Sequence, residues 1–359
     1  MNPEDSLLNW FEVRNETEAG LPKVALKDVD AVAVTVKPGL PVCLKIGAKY
    51  ALNLCRTGKK PIIPVHHMLA HAVTIRLVED QLSYPFLTLL MSGGHCILAL
   101  ANSVSEFLVF GNSLDVAPGE AFDKVARRLQ LCHVHPTYEN LSGGVLIEKF
   151  SADGDPFAFE FPYPLRVHDC NFSFSGLMTK AYQHLTKLEA TFGSQISDDK
   201  LKDLSASFQH AIFRHIAKRL LRAFQYINER HLMPNGHPRY LVLSGGVASN
   251  AYIRKGLAYV AERNDFALLC PPKELCTDNG IMIAWCGVEK FIAGEDILYD
   301  LPERLEVFSR YAWSFSVIVL NLIAMIIFRV PLGKDISQEI AALHIPASYF
   351  KLSLNFSSM

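Results

Sequence analysis

The tripeptide Ser-Gly-Gly follows two separate apolar runs, and its two settings constrain the fold more than any other feature of the chain. Ser92-Gly93-Gly94 lies between the apolar runs 86–91 and 96–101, a pattern typical of a hairpin with a small-residue turn. Ser244-Gly245-Gly246 follows the apolar run 240–243 and precedes a helical stretch. Glycines in such turns let backbone N–H groups approach an anion closely. The sequence therefore predicts an α/β protein with mixed sheets and glycine loops at strand ends.

Strands and helices alternate along most of the chain, which favours the same class. An apolar strand at 29–36 precedes a helical stretch at about 41–55, and the short apolar run 62–65 precedes a helix at 67–78. A long amphipathic helix or helix pair covers about 200–230. Further helices are predicted at about 120–131, 248–263 and 278–292.

Composition excludes several classes of protein. The 35 Lys plus Arg residues against 36 Asp plus Glu give a formal net charge of −1, so a polyanionic partner must bind to a local basic patch. Hydrophobic residues make up 50% of the 359 residues, which excludes a disordered chain. The eight cysteines form no C-x-x-C pair, which argues against a four-cysteine zinc site and a disulfide scaffold. A reducing compartment fits this cysteine pattern.

Two histidines at helical spacing form a candidate metal site. His67 and His71 lie one turn apart in a predicted helix, so both imidazoles project from one face. A protease of the H-E-x-x-H type is excluded because Met68 stands where that motif needs its glutamate base. Thr277 or Asp278 either caps the next helix, or Asp278 completes a two-histidine, one-carboxylate metal set. The spacing alone leaves these roles open, including that of two plain surface histidines.

Six motifs of the chain occur together in one order. From the N-terminus they are His67-x-x-x-His71, Leu90-Met91-Ser92-Gly93-Gly94-His95, Gly119-Glu120-Ala121-Phe122-Asp123-Lys124, Ser142-Gly143-Gly144, Gly245-Gly246-Val247-Ala248-Ser249-Asn250 and Cys276-Thr277-Asp278-Asn279-Gly280. With them the chain resembles the tRNA adenosine threonylcarbamoyltransferases, once described as O-sialoglycoprotein endopeptidases. It is most similar to the animal mitochondrial branch. The resemblance covers about residues 24–311.

The resemblance implies both a fold and a reaction. The family has a two-lobed, actin-like ATPase (ASKHA) α/β fold with mixed sheets around a cleft, which both glycine loops should face. Its members transfer a threonylcarbamoyl group from threonylcarbamoyl-AMP to the N6 amine of the adenosine beside the anticodon, in tRNAs that read codons beginning with A. By match, His67, His71 and Asp278 would hold one divalent metal ion per subunit, with iron, zinc and magnesium equally compatible. The residues that would line the adenylate site are Leu90, Met91, Ser92, Gly93, Gly94, Asp123, Gly144 and Asn250. No residue is assigned a catalytic role.

The chain departs from the family pattern at both ends. The predicted units are an atypical segment at 1–23, a first lobe at 24–84 that the helix 276–293 completes, a second lobe at 85–275, a connection at 294–311, and an atypical apolar segment with a tail at 312–359. We expect the first lobe to be truncated, without the opening strand and phosphate loop of the family. Because one lost donor to a developing charge costs about 10²–10³ in rate, such a chain should be nearly inactive. Two alternatives stay open: a non-catalytic variant of the family, and a sugar kinase or ATPase of actin-like fold, against which the paired histidines argue.

Partners and location follow partly from the resemblance and partly from charge. The expected partners are tRNA, threonylcarbamoyl-AMP and a second copy in a homodimer. Candidate tRNA contacts are the patch Lys45, Lys49, Arg56, Lys59 and Lys60, and the helical row Arg214, Lys218 and Arg222. The uncharged stretch 312–328 is at the lower limit of the ~17–25 residues that span a bilayer, so membrane insertion is not expected. The resemblance implies a mitochondrial location, although the acidic N-terminus does not have the composition of a transit peptide.

Overall fold

The computed structural model describes residues 25–165, 167–193, 196–308 and 334–342. The expectations for 1–23 and for the apolar stretch 312–328 therefore fall outside the described residues, and the expected low activity stays a prediction. Within the described ranges, no helix is both long enough and apolar enough to cross a membrane.

Strands and helices alternate as the sequence predicts. In chain order the elements are β1 (Val32–Lys37), α1 (Pro41–Gly58), β2 (Ile62–His66), α2 (His67–Val73), β3 (Phe86–Met91), β4 (Cys96–Ala101), β5 (Phe107–Asn112), α3 (Pro118–Arg128), α4 (Gly143–Ser151), α5 (Ser175–Phe192), α6 (Asp198–Glu229), β6 (Tyr240–Ser244), α7 (Ala251–Glu262), β7 (Ala267–Leu269), α8 (Lys273–Cys276), α9 (Gly280–Ala293), β8 (Lys334–Asp335) and α10 (Ser337–Ala342). Short 3₁₀ turns lie between several of them.

Several helices start or end at a different residue from the one predicted, and for two of them the reason is local. The helix expected to run to residue 78 ends at Val73 and continues as a 3₁₀ turn, and the Thr74 hydroxyl there donates to the Ala70 carbonyl at 2.6 Å. The helix expected from residue 248 begins at Ala251, because Gly246–Ser249 form a 3₁₀ turn and Asn250 caps α7.

A small parallel sheet forms one side of the molecule. β1 and β2 pair in parallel, with Val32 opposite Ile62. Pro41 starts α1 in its first turn, a position at which proline is well tolerated, and α1 packs on β1. α9 packs on β1, β2 and α2, and Gly287 allows this approach, since a β-carbon there would lie 2.5 Å from the Ala33 β-carbon. We call β1, β2, α1, α2 and α9 the small lobe.

A six-stranded mixed sheet forms the other side. Its strand order is β7-β6-β3-β4-β5-β8, with β3, β4 and β5 as an antiparallel meander and β6 parallel to β3. Every residue of β3 and β4 is buried, because helices cover both faces. One face packs on α3 to α7, and the other packs on α2 and α9 of the small lobe. We call this sheet with α3 to α8 and α10 the large lobe.

The long helix α6 corrects one of the sequence-based interpretations. Arg222 was expected to face solvent and contact phosphate, but its side chain is buried and donates to the carbonyls of His168 and Ile340. Arg219, also buried, donates to the Val167 and Asp169 carbonyls. Since a buried guanidinium needs such acceptors, Arg222 holds neighbouring segments to α6 and the prediction of a phosphate contact is wrong for it.

Candidate active site

A cleft of about 870 Å³ lies between the two lobes. This volume is within the roughly 300–1,000 Å³ range of small-molecule sites. The small lobe lines it with residues of β1, α1, α2 and the start of α9, and the large lobe lines it with both Ser-Gly-Gly loops. The residues on the large-lobe side are Ser92, Gly93, Gly94, His95 and Gly246. The two glycine loops therefore face one cleft, as the sequence predicts.

His67, His71 and Asp278 meet at the edge of this cleft. One carboxylate oxygen of Asp278 lies 3.2 Å from the Nε2 atom of His67 and 3.0 Å from that of His71. The two imidazole rings are perpendicular, with centroids 4.8 Å apart. The His71 side chain is only 3% exposed, whereas that of Asp278 is 76% exposed. The three groups thus form an open-sided set of two nitrogens and one oxygen.

Local capping explains why these side chains are available. His66 caps α2, since its Nδ1 atom accepts from the Met68 amide at 3.2 Å, and His67 and His71 then project from the helix that follows. Asn279, rather than Thr277 or Asp278, caps α9 by accepting from the Met282 amide at 2.8 Å. The capping role that the sequence left open for Asp278 is therefore taken by its neighbour, and the Asp278 carboxylate is free to face the histidines.

The electrostatics of the set favour a bound cation. Hydrogen bonds from His67 and His71 hold the pKa of the Asp278 carboxyl well below its usual range, so it is ionised. An ionised carboxylate is the form in which aspartate binds a metal ion.

The geometry also fits one metal ion. Ligand atoms about 2.0–2.2 Å from a tetrahedral ion lie roughly 3.3–3.6 Å from one another. The ligand atoms of His67, His71 and Asp278 all lie within 4.8 Å of one another, and two of the three separations are 3.0 and 3.2 Å. Small side-chain movements would place a single cation between them.

The Ser92 turn is closed by its own side chain. Ser92 Oγ accepts from the amides of Gly94 and His95 at 3.3 and 3.0 Å. An anion in the cleft would therefore compete with this oxygen for the same two N–H groups. Gly119 packs directly below the turn, since a β-carbon there would lie 2.8 Å from the Gly93 Cα atom.

Among the described residues that line the cleft, the predicted substrate residues are Ser92, Gly93 and Gly94, and the other five lie outside its lining. Asp123 accepts from the Gly143 amide at 2.7 Å, which places it beside Gly144 at the start of α4. The Asn250 side chain is engaged within the protein: it accepts from the Ile253 amide and donates to Gln209 at 2.9 Å. Leu90 and Met91 do not line the cleft, because their side chains are buried in the core around β3. The cleft brings together only part of the predicted set.

Sequence reasoning missed the small-lobe wall of the cleft. Pro38, Gly39 and Cys43 line it, together with Thr35 and Leu44. The segment Lys37-Pro38-Gly39 reads as an ordinary turn, but it connects the carboxyl end of a parallel strand to a helix N-terminus. That position is where open α/β sheets commonly bind ligands, so this signal was available in the sequence.

The molecule is an α/β protein of the actin-like ATPase class, since it has two lobes and glycine loops that face the cleft between them. The histidine–aspartate set in this cleft is suited to a metal ion. The sequence model for TsaD: tRNA N6-adenosine threonylcarbamoyltransferase matches residues 18–285. The mouse protein named tRNA N6-adenosine threonylcarbamoyltransferase, mitochondrial is 44% identical over 337 residues, which is 92% of this chain and 75% of the mouse protein. The chain belongs to the tRNA N6-adenosine threonylcarbamoyltransferase family, transferases that form t6A in tRNA.

Other relatives agree with this assignment, and one solved structure shares the fold. The human protein with the same name is 42% identical over 335 residues, covering 92% of this chain and 75% of the human protein. The Rhizobium johnstonii tRNA N6-adenosine threonylcarbamoyltransferase is 38% identical over 295 residues, covering 82% of this chain and 75% of the bacterial protein. The crystal structure of T. kodakarensis HypF has a TM-score of 0.52 at 14% identity and shares the fold; it covers 80% of this chain, which spans 43% of HypF.

Proposed function

We propose that the cleft binds threonylcarbamoyl-AMP and that this chain, a tRNA N6-adenosine threonylcarbamoyltransferase, transfers the threonylcarbamoyl group to the N6 amine of the adenosine beside the anticodon. The observation that carries the proposal is the convergence of His67, His71 and Asp278 at one edge of a cleft whose opposite wall is formed by two glycine loops. An adenylate needs both features, since its phosphate and its acyl carbonyl both carry charge that must be stabilised.

Each part of the cleft has a role in this proposal. His67, His71 and Asp278 would hold a divalent cation, which when bound supplies Lewis-acid stabilisation to the carbonyl and phosphate oxygens. The amides of Gly94 and His95, now bonded to Ser92 Oγ, would turn to the phosphate. Gly246 leaves room beside the loop, since a β-carbon there would meet no atom within 4 Å. Asp123 and Gly144 lie outside the cleft lining and would contact the ligand where it extends to the start of α4, since the Asp123 carboxylate can accept from an adenosine hydroxyl.

The adenosine amine is a weak nucleophile, so its correct placement against the donor supplies a large part of the rate enhancement. The cleft wall formed by Thr35, Pro38 and Gly39 would hold the incoming nucleotide against the activated carbonyl. The same wall would exclude water, which otherwise hydrolyses the acyl phosphate anhydride bond of the donor.

Helix α1 is the part of the small lobe best placed to contact tRNA. Cys43, Leu44 and Gly47 of α1 line the cleft, while Lys45 and Lys49 are exposed. These two lysines lie one turn apart, so both charges project to the same side. They are suited to phosphates that flank an adenosine bound in the cleft.

The proposal includes a homodimer in mitochondria. Ile281, Val288 and Ile292 of α9 are exposed apolar side chains at helical spacing, with Phe291 beside them, which supports a contact with a second copy. The mitochondrial location is supported by the names of the mouse and human relatives.

The metal set is tested by His71→Ala. Changes around metal ligands lower metal affinity by ~10–100-fold, and we expect a larger loss when a ligand itself is removed. Elemental analysis should therefore show less bound metal. The formation of t6A from threonylcarbamoyl-AMP and unmodified tRNA should fall with it. The matched control is His133→Ala, since His133 is exposed and lies outside the cleft. A His71→Ala protein that retains full metal content would show that these residues do not form the site.

A further inference from the structure

Two thiols lie side by side in the segment that leads to Asp278, and the proposed function uses neither. The Sγ atoms of Cys270 and Cys276 are 3.8 Å apart. Both cysteines are free in this structure, Cys270 half-buried and Cys276 buried.

The position of this pair connects it to both lobes. Cys270 directly follows β7, the edge strand of the large-lobe sheet, and Cys276 ends the short helix α8. Asp278 comes two residues later, just before α9 of the small lobe. A change in the loop 270–276 is therefore passed along a few backbone bonds to one member of the metal set.

Closing a bond between the two sulfurs requires a movement within the loop 270–276. A disulfide needs a sulfur–sulfur distance of about 2.05 Å, so the present separation must shorten by a little under 2 Å. Lys273 and Glu274, between the cysteines, are exposed and not enclosed by core. The Cys276 thiol would give up its hydrogen bond to the Pro271 carbonyl, which is 3.3 Å long.

Cys270 is also the more reactive thiol. The hydrogen bond with Cys276, together with the hydrogen bond and charge of Arg254, lowers the pKa of the Cys270 thiol to about 7. This shift favours the thiolate, which is the form that attacks peroxides.

We propose that Cys270 and Cys276 form a hydroperoxide-sensitive dithiol, and that their disulfide displaces Asp278 and weakens metal binding by His67, His71 and Asp278.

The Cys270 sulfur attacks one peroxide oxygen; the S–O bond forms, the O–O bond breaks, and the leaving hydroxide takes a proton to become water. The Cys276 sulfur then attacks the Cys270 sulfur; the S–S bond forms, the S–O bond breaks, and hydroxide leaves as water with the Cys276 proton. The peroxide is reduced and the two sulfurs are oxidised. The effect on metal binding rests on the proposed function, whereas disulfide formation does not.

The experiment uses the full chain, hydrogen peroxide and Mn²⁺ as the metal probe. The chain is treated with peroxide, the excess is removed, and peptides are mapped by mass spectrometry. Mn²⁺ binding is then measured by electron paramagnetic resonance before and after oxidation. Cys270→Ser removes the attacking sulfur, and Cys132→Ser is the matched control, since Cys132 is partly exposed and no part of the pair.

We expect a peptide that links Cys270 to Cys276 in the unaltered chain and in the Cys132→Ser variant. The linked peptide should be absent in Cys270→Ser, and dithiothreitol should reverse the link. Mn²⁺ affinity should fall about 10-fold on oxidation wherever the link forms, as for other disturbances around metal ligands. Oxidation of the unaltered chain without this linked peptide would overturn the dithiol, and a linked peptide with unchanged Mn²⁺ affinity would overturn its effect on the metal set. If the reduced chain binds no Mn²⁺ through His71, the proposed metal site itself fails, and the peptide map still decides whether the dithiol forms.

Discussion

Gly245 and Gly246 are adjacent, yet they lack a side chain for different reasons. Gly245 has a φ of 92°, and a β-carbon there would lie 2.3 Å from the Met91 carbonyl oxygen, so this glycine is required by the fold. Gly246 has no such constraint, since a β-carbon would meet no atom within 4 Å, but it faces the cleft. At the scale of single residues, Gly245 is therefore required by the backbone conformation, whereas Gly246 leaves space in the cleft for the proposed ligand.

The substitution Gly246→Ala tests this difference. We expect it to leave the unfolding midpoint nearly unchanged and to weaken binding of a non-hydrolysable threonylcarbamoyl adenylate, because the added methyl occupies space beside the phosphate. A loss of about tenfold, roughly 1.4 kcal/mol, is expected from isothermal titration calorimetry. Gly176→Ala is the control, as a β-carbon there is equally free of neighbours and lies outside the cleft. Equal binding by the two variants would contradict the proposal that the adenylate lies beside Gly246.

A buried histidine makes stability depend on pH. The His215 side chain is buried and its Nε2 atom accepts from the Ser173 amide at 3.1 Å. Burial, followed by the charge of Arg219, lowers the pKa of His215 to about 3. The unfolded chain takes up this proton near pH 6.5, so the stabilisation is complete above that value and is lost as the pH falls towards the folded pKa.

We expect urea unfolding to show this loss. Between about pH 7 and pH 5, His215 alone should remove about 2 kcal/mol from the free energy of unfolding. In His215→Gln, which keeps an acceptor but does not titrate, the decrease between the two pH values should be smaller by that amount. The exposed His133 provides the comparison through His133→Gln. Identical pH dependence in both variants would show that His215 is not neutral in the folded protein.

At the scale of elements, the two faces of α1 have different roles: one packs on the small sheet and the other is basic and exposed. Ala51, Leu52 and Cys55 are buried against the small sheet, and the first turn borders the cleft. Lys45 and Lys49 are on the exposed face. Because the helix starts at the carboxyl end of β1, its basic face lies next to the position where the adenosine of the tRNA would enter.

Replacing both lysines should weaken tRNA binding without changing the fold. In Lys45→Ala with Lys49→Ala, we expect the slope of log affinity against log salt to fall by about 1 for each lost phosphate contact. Filter binding with unmodified tRNA over a salt series measures this slope. Lys187→Ala, an exposed lysine on α5 of the other lobe, should leave it unaltered. An unchanged slope in the double variant would exclude α1 from the tRNA interface.

At the scale of the whole molecule, the apolar face of α9 has no cover among the described residues. Ile292 is 79% exposed and Ile281 57%. The opposite side of the same helix packs on the small lobe, and α9 begins directly after Asp278 and Asn279. A second copy seated on α9 would therefore hold the helix that begins two residues after Asp278.

Introducing a charge into this face should produce a monomer. For Ile292→Glu we expect sedimentation equilibrium to give the mass of one chain where the unaltered protein gives that of two, because an unpaired charge buried in an interface costs about 3–5 kcal/mol. Phe157→Glu alters another exposed apolar residue, on the large lobe, and should leave the dimer intact. If the unaltered chain is itself a monomer, the dimer proposal is wrong.

The sequence by itself determined the class of fold, the order of strands and helices, and the positions of the motifs. These depend on properties that act over a few residues: apolar periodicity, the freedom of glycine in turns, and the one-turn spacing of His67 and His71. The bounds of β3 and β4 agree with the prediction to the residue, because each is a continuous apolar run that the Ser92 turn interrupts.

Only the tertiary structure decided which side chains meet. His71 and Asp278 are 207 residues apart, so their 3.0 Å contact depends on how α9 packs on the small lobe and on Asn279 capping that helix in place of Asp278. Arg222 has the spacing of a solvent-facing cation, but the carbonyls that surround it come from segments distant in the chain. Local pattern cannot specify such contacts, because their free energy arises from burial and hydrogen bonding between elements that come together only when the whole chain has folded.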